Sequence, residues 1–173
     1  EGKGRGKEIL GVIRSCDMVL YIVDPFQDSH FKVLHRELEN AGIRLNQTKP
    51  PVFVKRVDKG GIDVRTTVEQ THLTPEEMGD IIRSFGYTSA IVTLRADTTA
   101  EMLVDTMVGS RVYSKSVIAV NKIDIATEEE IVSAEKALPQ DWPIMRISAF
   151  KGTGLDELKD FIYDNLGFMR IFL

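Results

Sequence analysis

Asn121, Lys122 and Asp124 close an otherwise apolar run, VIAVNKID, at residues 117–124. An ionised carboxylate accepts two adjacent donors at once, and guanine offers such a pair in its ring N1–H and exocyclic amine. Adenine offers none. Asp124 in a dry pocket could therefore discriminate between purines through charge-assisted hydrogen bonds. The Lys122 stem is long enough to lie over a purine plane, and the Asn121 amide can tie neighbouring loops together. A second apolar strand end, RISAFKGTGLDEL at 146–158, adds Ser148 and Ala149. The Ala149 N–H could meet the guanine carbonyl oxygen while Ser148 braces Asp124. Small residues suit that place because backbone must approach the base. Alone, N-K-x-D is also what a polar loop entry looks like; followed one strand–helix unit later by S-A, it becomes a joint signal.

Residues with such roles need strand ends to hold them. DMVLYIVD (17–24), SVIAV (116–120) and PIMRIS (143–148) are near-continuous apolar runs. That texture belongs to parallel strands covered on both faces. Between them lie helical patterns: Ile9, Leu10, Ile13 and Cys16 on one face, then Phe31, Leu34 and Leu38 with Gly42 as a stop, then TEEEIVSAEKAL and LDELKDFIYDNLG. The expectation is an α/β doubly wound parallel sheet whose ligands sit beyond the carboxyl ends of its strands. The texture changes in the middle. RLNQTKPP is polar and proline-broken, and VFVKRV and IDVRTTV around DKGG read as a hairpin. Thr74, Pro75 and Glu77 form a capping signature for a further helix. The expected organisation is a first sheet segment at 1–43, an inserted small α+β domain at 44–113, a second sheet segment at 114–167, and the start of a further strand at 168–173.

A net charge of -4 over 173 residues provides no global positive field for nucleic acid. Lys49, Lys55, Arg56 and Lys59 nevertheless crowd the expected hairpin; a solvated turn and a contact with RNA or the ribosome are both open readings. The single cysteine, Cys16, excludes an internal disulfide and is expected on the core face of its helix. His30, His35 and His72 have no metal-ligand spacing with one another or with Cys16, so no metal site is expected. Phe26, Phe31, Phe53, Phe85 and Phe161 are expected in the core rather than as a stacking platform. No run approaches the roughly 20 apolar residues a spanning helix needs, and the first ten residues carry no apolar export core, so no membrane contact is expected.

N-K-x-D followed by S-A resembles the translation-factor-related class of GTP-binding proteins. More narrowly, EGKGRGKEIL, KPPVFVKRVDKGGIDVRTT, THLTPEE and FMRIFL resemble the developmentally regulated GTP-binding (DRG) family, near the Obg group. The resemblance covers essentially the whole chain. It implies a partial P-loop GTPase-type sheet, a ribosomal-protein-like inserted domain, and the first strand of a TGS domain at 168–173. It also implies GTP and GDP as ligands, Mg²⁺ in the full-length protein, a cytoplasmic location, a translation-linked role and a regulatory protein partner. The cofactor-binding residues would be Asn121, Lys122, Asp124, Ser148 and Ala149. No catalytic residue is assigned, because neither G-x-x-x-x-G-K-[ST] nor D-x-x-G occurs. GKGRGK has the wrong spacing for a phosphate loop. Asp24, at the end of a Walker-B-like YIVD, falls one strand too far and is expected to be structural. On this alignment the chain lacks the first three strands, the P-loop and switch I, and it should not hydrolyse GTP alone. The alternative is a non-catalytic RNA- or protein-interaction module on a degenerate GTPase scaffold.

Overall fold

The structure is a computed structural model and describes residues 5–27 and 29–168. Along the chain it forms α1 (Arg5–Ile13), β1 (Met18–Val23), α2 (Ser29–Asn40), β2 (Ile43–Leu45), β3 (Val52–Arg56), β4 (Ile62–Thr66), α3 (Pro75–Ser84), β5 (Ala90–Leu94), α4 (Ala100–Val108), β6 (Val112–Val120), α5 (Glu128–Lys136), β7 (Ile144–Arg146) and α6 (Leu155–Leu166). Two compact units result: Glu1–Gln47 with Val112–Leu173, and Thr48–Arg111. The fold is α/β, of partial P-loop GTPase type, as expected. Residues 1–4 of the glycine-rich start and residues 169–173 of the expected last strand lie outside the described residues.

In the first unit every strand pairs with β6, and every pairing is parallel. Met18–Val23 runs beside Lys115–Val120, Ile43–Leu45 beside Val112–Ser114, and Ile144–Arg146 beside Ile118–Val120. The apolar run of β6 explains its central place, since Val117, Ile118, Ala119 and Val120 are all fully buried. Strand alternation divides them between two layers. Ile118 and Val120 join Tyr21, Val23, Phe31, Leu38 and Ile131 beneath α2 and α5. Val117 and Ala119 join Ile147 and Leu158 beneath α6. Among the described residues β1 pairs only with β6, and Ile22 on it is 64% exposed.

The chain leaves this sheet at Asn46, in the left-handed region at φ +53. Its side chain continues the ladder where the backbone stops: Oδ1 accepts from Ser116 N at 2.7 Å, and Nδ2 donates to Ser116 O at 3.0 Å. Residues 43–45 thus pair in the sheet, and the second unit begins at Thr48.

The second unit corrects the expected hairpin. β3 and β4 do not pair with each other; β5 lies between them, antiparallel to β3 and parallel to β4. Ser89 and Ala90 occupy the space a hairpin would close. Ser89 O accepts from Val57 N at 3.1 Å, its hydroxyl accepts from Gly61 N at 3.2 Å, and Ala90 N donates to Gly61 O at 3.0 Å. Gly60 and Gly61, at φ +114 and +73, let the connection span two strand spacings, roughly 10 Å. Helix α3 starts as its sequence requires. Thr74 Oγ1 accepts from Glu77 N at 3.3 Å, and a Glu77 carboxylate oxygen accepts from Thr74 N at 2.8 Å. Met78 and Ile82 on α3 and Leu103 on α4 then bury against Val52, Ala90, Val92 and Leu94.

Two further expectations fail. Cys16 is exposed: α1 ends at Ile13, and the thiol donates to Val12 O at 3.3 Å in the turn beyond it. Ile9 is exposed as well, while Leu10 and Ile13 pack against the core. Among the phenylalanines, Phe31 is buried and Phe161 partly so, but Phe26, Phe53 and Phe85 are exposed. Phe53 faces outward because it alternates with Val52 and Val54, which pack into the core on the other side of the sheet.

A self-contained core predicts independent folding. Residues 48–111 expressed alone are expected to give a well-dispersed amide spectrum, and Met78→Ala, at a fully buried position, to destabilise that segment by about 2–5 kcal/mol. A collapsed spectrum from the parent segment would show that it needs the rest of the chain.

Candidate functional site

The ends of β1, β6 and β7 meet at one edge of the first unit's sheet. Asn121 N–H donates to Val23 O at 2.9 Å, carrying the ladder one residue past β6. Lys122 then takes φ +67, which few side-chain-bearing residues adopt. Hydrogen bonds on the next residues fix that turn: Ile125 N and Ala126 N donate to Lys122 O at 3.1 and 3.2 Å, and Ile123 N to Ile147 O at 3.3 Å. The chain doubles back, and Asp124 lands beside the end of β7.

From the other side, Ile147 N donates to Val120 O at 2.8 Å, which delivers Ser148 and Ala149. Ser148 Oγ donates to Asp124 Oδ1 at 2.7 Å and accepts from Lys151 N at 3.0 Å. Because the hydroxyl already accepts an N–H, its own proton is directed to the carboxylate. This bond holds the Asp124 carboxyl below the usual carboxylate range. Ala149 N–H donates to Asn121 Oδ1 at 2.9 Å. Asn121 therefore ties the two loops together, and the Ala149 N–H expected for a guanine oxygen is engaged within the protein. The turn closes at Gly154, at φ +73, where a Cβ would sit 2.2 Å from Arg146 O. Only glycine fits there.

Lys122 Nζ reaches Asp24 Oδ2 at 2.7 Å, and Asp24 Oδ1 accepts from Phe26 N at 3.0 Å. The lysine, then the Phe26 N–H, hold the Asp24 carboxyl below its ordinary range. Asp24, expected to be only structural, is thus the partner that fixes the Lys122 side chain. Reading the sequence also missed Phe150, which follows the S-A pair and is 90% exposed. Its place beside Ala149 was the available signal. Lys55 lies on the outer face of β3, Arg56 turns to the Tyr87 ring at 5.4 Å, Lys59 lies in the loop beyond, and Lys49 precedes the strand. Among the described residues, no group of three or more His, Cys, Asp or Glu side chains could hold a metal ion.

Comparison with known proteins places this geometry in context. Residues 59–168 match the family described as the C-terminal region of the MMR_HSR1 domain. An uncharacterized GTP-binding protein of Methanocaldococcus jannaschii is 42% identical over 173 residues, covering 99% of this chain and 44% of the relative. Developmentally-regulated G-protein 3 of Arabidopsis thaliana is 38% identical, covering 99% and 46%. Ribosome-interacting GTPase 1 of Saccharomyces cerevisiae is 35% identical, again covering 99% and 46%. The chain spans a little under half the length of these relatives.

The Ser148–Asp124 bond makes a direct prediction. Ser148→Ala should raise the Asp124 pKa toward its ordinary 3.8. The sign follows from the depressed value: the bond stabilises the fold above about pH 4 and is lost as pH falls through the lowered folded-state pKa. A carbon-detected NMR titration of the side-chain carboxyl reads it, and an unmoved curve would detach Ser148 from Asp124. Separately, Gly154→Ala is expected to destabilise the chain by at least about 1–3 kcal/mol, through backbone strain and the clash of its Cβ with Arg146 O, measured by thermal unfolding. A melting curve like the parent's would mean the turn can relax.

Proposed function

The chain belongs to the developmentally regulated GTP-binding protein family, and on that premise we propose that the ends of β6 and β7 form the guanine-recognition half of a GTP and GDP site. The observation that carries this reading is the Asp124 carboxylate, fastened through one oxygen to Ser148, which is 1% exposed. Its other oxygen accepts no hydrogen bond from another described residue, so the group remains able to take the N1–H and exocyclic amine of guanine. Adenine, lacking that pair of donors, would leave the charge unmatched.

The remaining roles follow from position. The Lys122 stem, held out by Asp24, lies along one face of the base, and the exposed Phe150 ring is available to the other. Asn121 keeps the two loops at a fixed separation. Ala149 N–H reaches the guanine carbonyl oxygen only by sharing its bond with Asn121. These residues confer specificity and break no bond; GTP hydrolysis, proposed for the whole protein, belongs to groups other than these. Mg²⁺, expected only for the full-length protein, is given no ligand among these residues, and no metal-dependent step is assigned to them. The intact network supports this reading over a degenerate scaffold, which would have no need to keep both Asn121–Ala149 and Ser148–Asp124 bonds.

The name of the yeast relative extends the proposal to a ribosome-linked role; a cytoplasmic location and a regulatory protein partner are proposed from the family resemblance alone. Ribosome contact would draw on the basic segment that carries Lys49, Lys55, Arg56 and Lys59. Among the described residues, no helix is long and apolar enough to cross a membrane.

Asp124→Asn, made in a protein of the relatives' full length, should weaken GTP about 10- to 100-fold, as loss of one or two charge-assisted bonds would. It should strengthen xanthosine triphosphate, because Asn presents a donor where xanthine carries a carbonyl. Calorimetric titration with both nucleotides tests this; unchanged GTP affinity would remove Asp124 from the site.

A further inference from the structure

Strand alternation places Phe53 and Lys55 on one face of the β3–β5–β4 sheet, with Thr93 and Ile91 beside them and Arg65 and Asp63 beyond. The opposite face carries Val52, Ala90, Val92 and Leu94 into the core. The outer face is open: Phe53 is 55% exposed, and the Arg95 guanidinium lies over its ring at 5.1 Å. Asp63, the one carboxylate on the strands of this face, is 2.8 Å from both Nε and an Nη of Arg65, so its charge is already matched. Elsewhere in this unit Glu76, Glu77 and Asp80 lie on α3, Glu101 and Asp105 on α4, and Asp58, Glu69 and Asp97 in loops. On this face Lys55 and Arg95 are two cations beyond the Arg65–Asp63 pair, on a chain whose net charge is -4.

We propose that this outer sheet face binds single-stranded nucleic acid, with an unpaired base stacking on Phe53 and phosphates met by Arg95 and Lys55. An exposed phenyl ring under a guanidinium is a sequence-tolerant stacking platform, since every base has a π-face. A duplex would not use it, because its bases are already stacked on one another. An acidic peptide would engage the cations but leaves the exposed ring without a role. The assignment is independent of guanine recognition and uses none of its residues. Of the basic segment's cations it uses only Lys55.

Fluorescence anisotropy of labelled RNA and DNA 12-mers of one unstructured sequence, titrated with the intact chain, tests the proposal. Saturable binding to either oligomer is expected, and the RNA-to-DNA ratio tells whether the 2′-hydroxyl contributes. With Lys55 and Arg95 engaged, the logarithm of the dissociation constant should rise with log salt at a slope of about 1.4. Phe53→Ala and Arg95→Ala should each weaken binding about tenfold. Phe53→Trp should retain it, with its fluorescence quenched by the stacked base. Arg83→Ala, on α3 and paired there with Asp80 at 2.6 Å, should bind like the parent. An unchanged far-UV spectrum will show that each variant is folded. Failure of the intact chain to bind either oligomer, or equal binding by a folded Phe53→Ala variant, would overturn the proposal. Retention of a polyglutamate peptide by a chain that ignores both oligomers would do so too, assigning the face to an acidic protein segment.

Discussion

Two side-chain hydrogen bonds between the ends of β6 and β7 hold the candidate guanine site in shape: Asn121 with Ala149, and Ser148 with Asp124. Each joins a loop after one strand to a loop after the next. Their geometry is set by the strands beneath, since Ile147 N–H reaches Val120 O and fixes the register of β7 on β6. A slip of one residue would turn Ser148 away from Asp124 and reverse both buried faces of β6 at once. That cost keeps the site in place: the burial of Val117 to Val120 fixes where Asp124 can be.

Electrostatics refine what packing sets. Lys122 stands in the left-handed region, and the turn bonds from Ile125 and Ala126 to its carbonyl offset the strain. Its ammonium is drawn to Asp24, which is also held by the Phe26 N–H, so the long side chain crosses from the end of β6 to the end of β1. Such an ion pair at a half-exposed lysine contributes little to stability. Its consequence is orientation: a flexible stem that would otherwise sample many rotamers is held extended, at a smaller entropic cost when a base lies against it.

Much of this was legible in the sequence, for a physical reason. Parallel strands buried on both faces are unbroken apolar runs, and polar residues can enter only where such a strand ends. VIAVNKID therefore displays its candidate site by its composition alone. Caps are equally local, and Thr74 and Glu77 sit three residues apart as α3 requires. What stayed hidden depends on partners distant in the chain. The strands around DKGG look like a hairpin until Ser89 and Ala90, contributed from beyond α3, come between them. The engagement of the Ala149 N–H by Asn121 was hidden for the same reason, as was the pairing of Asp24 with Lys122, 98 residues apart. Phe53 and Cys16 were misjudged because apolar character was taken as burial, when face and helix end decide it.

The two sheets illustrate different ways in which burial leaves room for chemistry. In the first, helices over both faces of β6 consume its side chains, and function can reside only where the strand runs out, in a loop whose backbone is tied to its neighbour's. Recognition there is by a few fixed polar atoms and should be strict. In the second, one face of β3–β5–β4 carries the core, and on the other Phe53, Lys55, Asp63 and Arg65 are exposed while Ile91 and Thr93 of the central strand are half-buried. Its outward positions are released from packing, so a ring and several cations can be displayed at strand spacing. A surface of that kind offers stacking and charge without a fixed donor–acceptor pattern, and it suits a ligand recognised by shape and charge more than by identity. The exposure of Phe53 and the burial of Val120 are thus two results of one variable, the number of faces a sheet has covered.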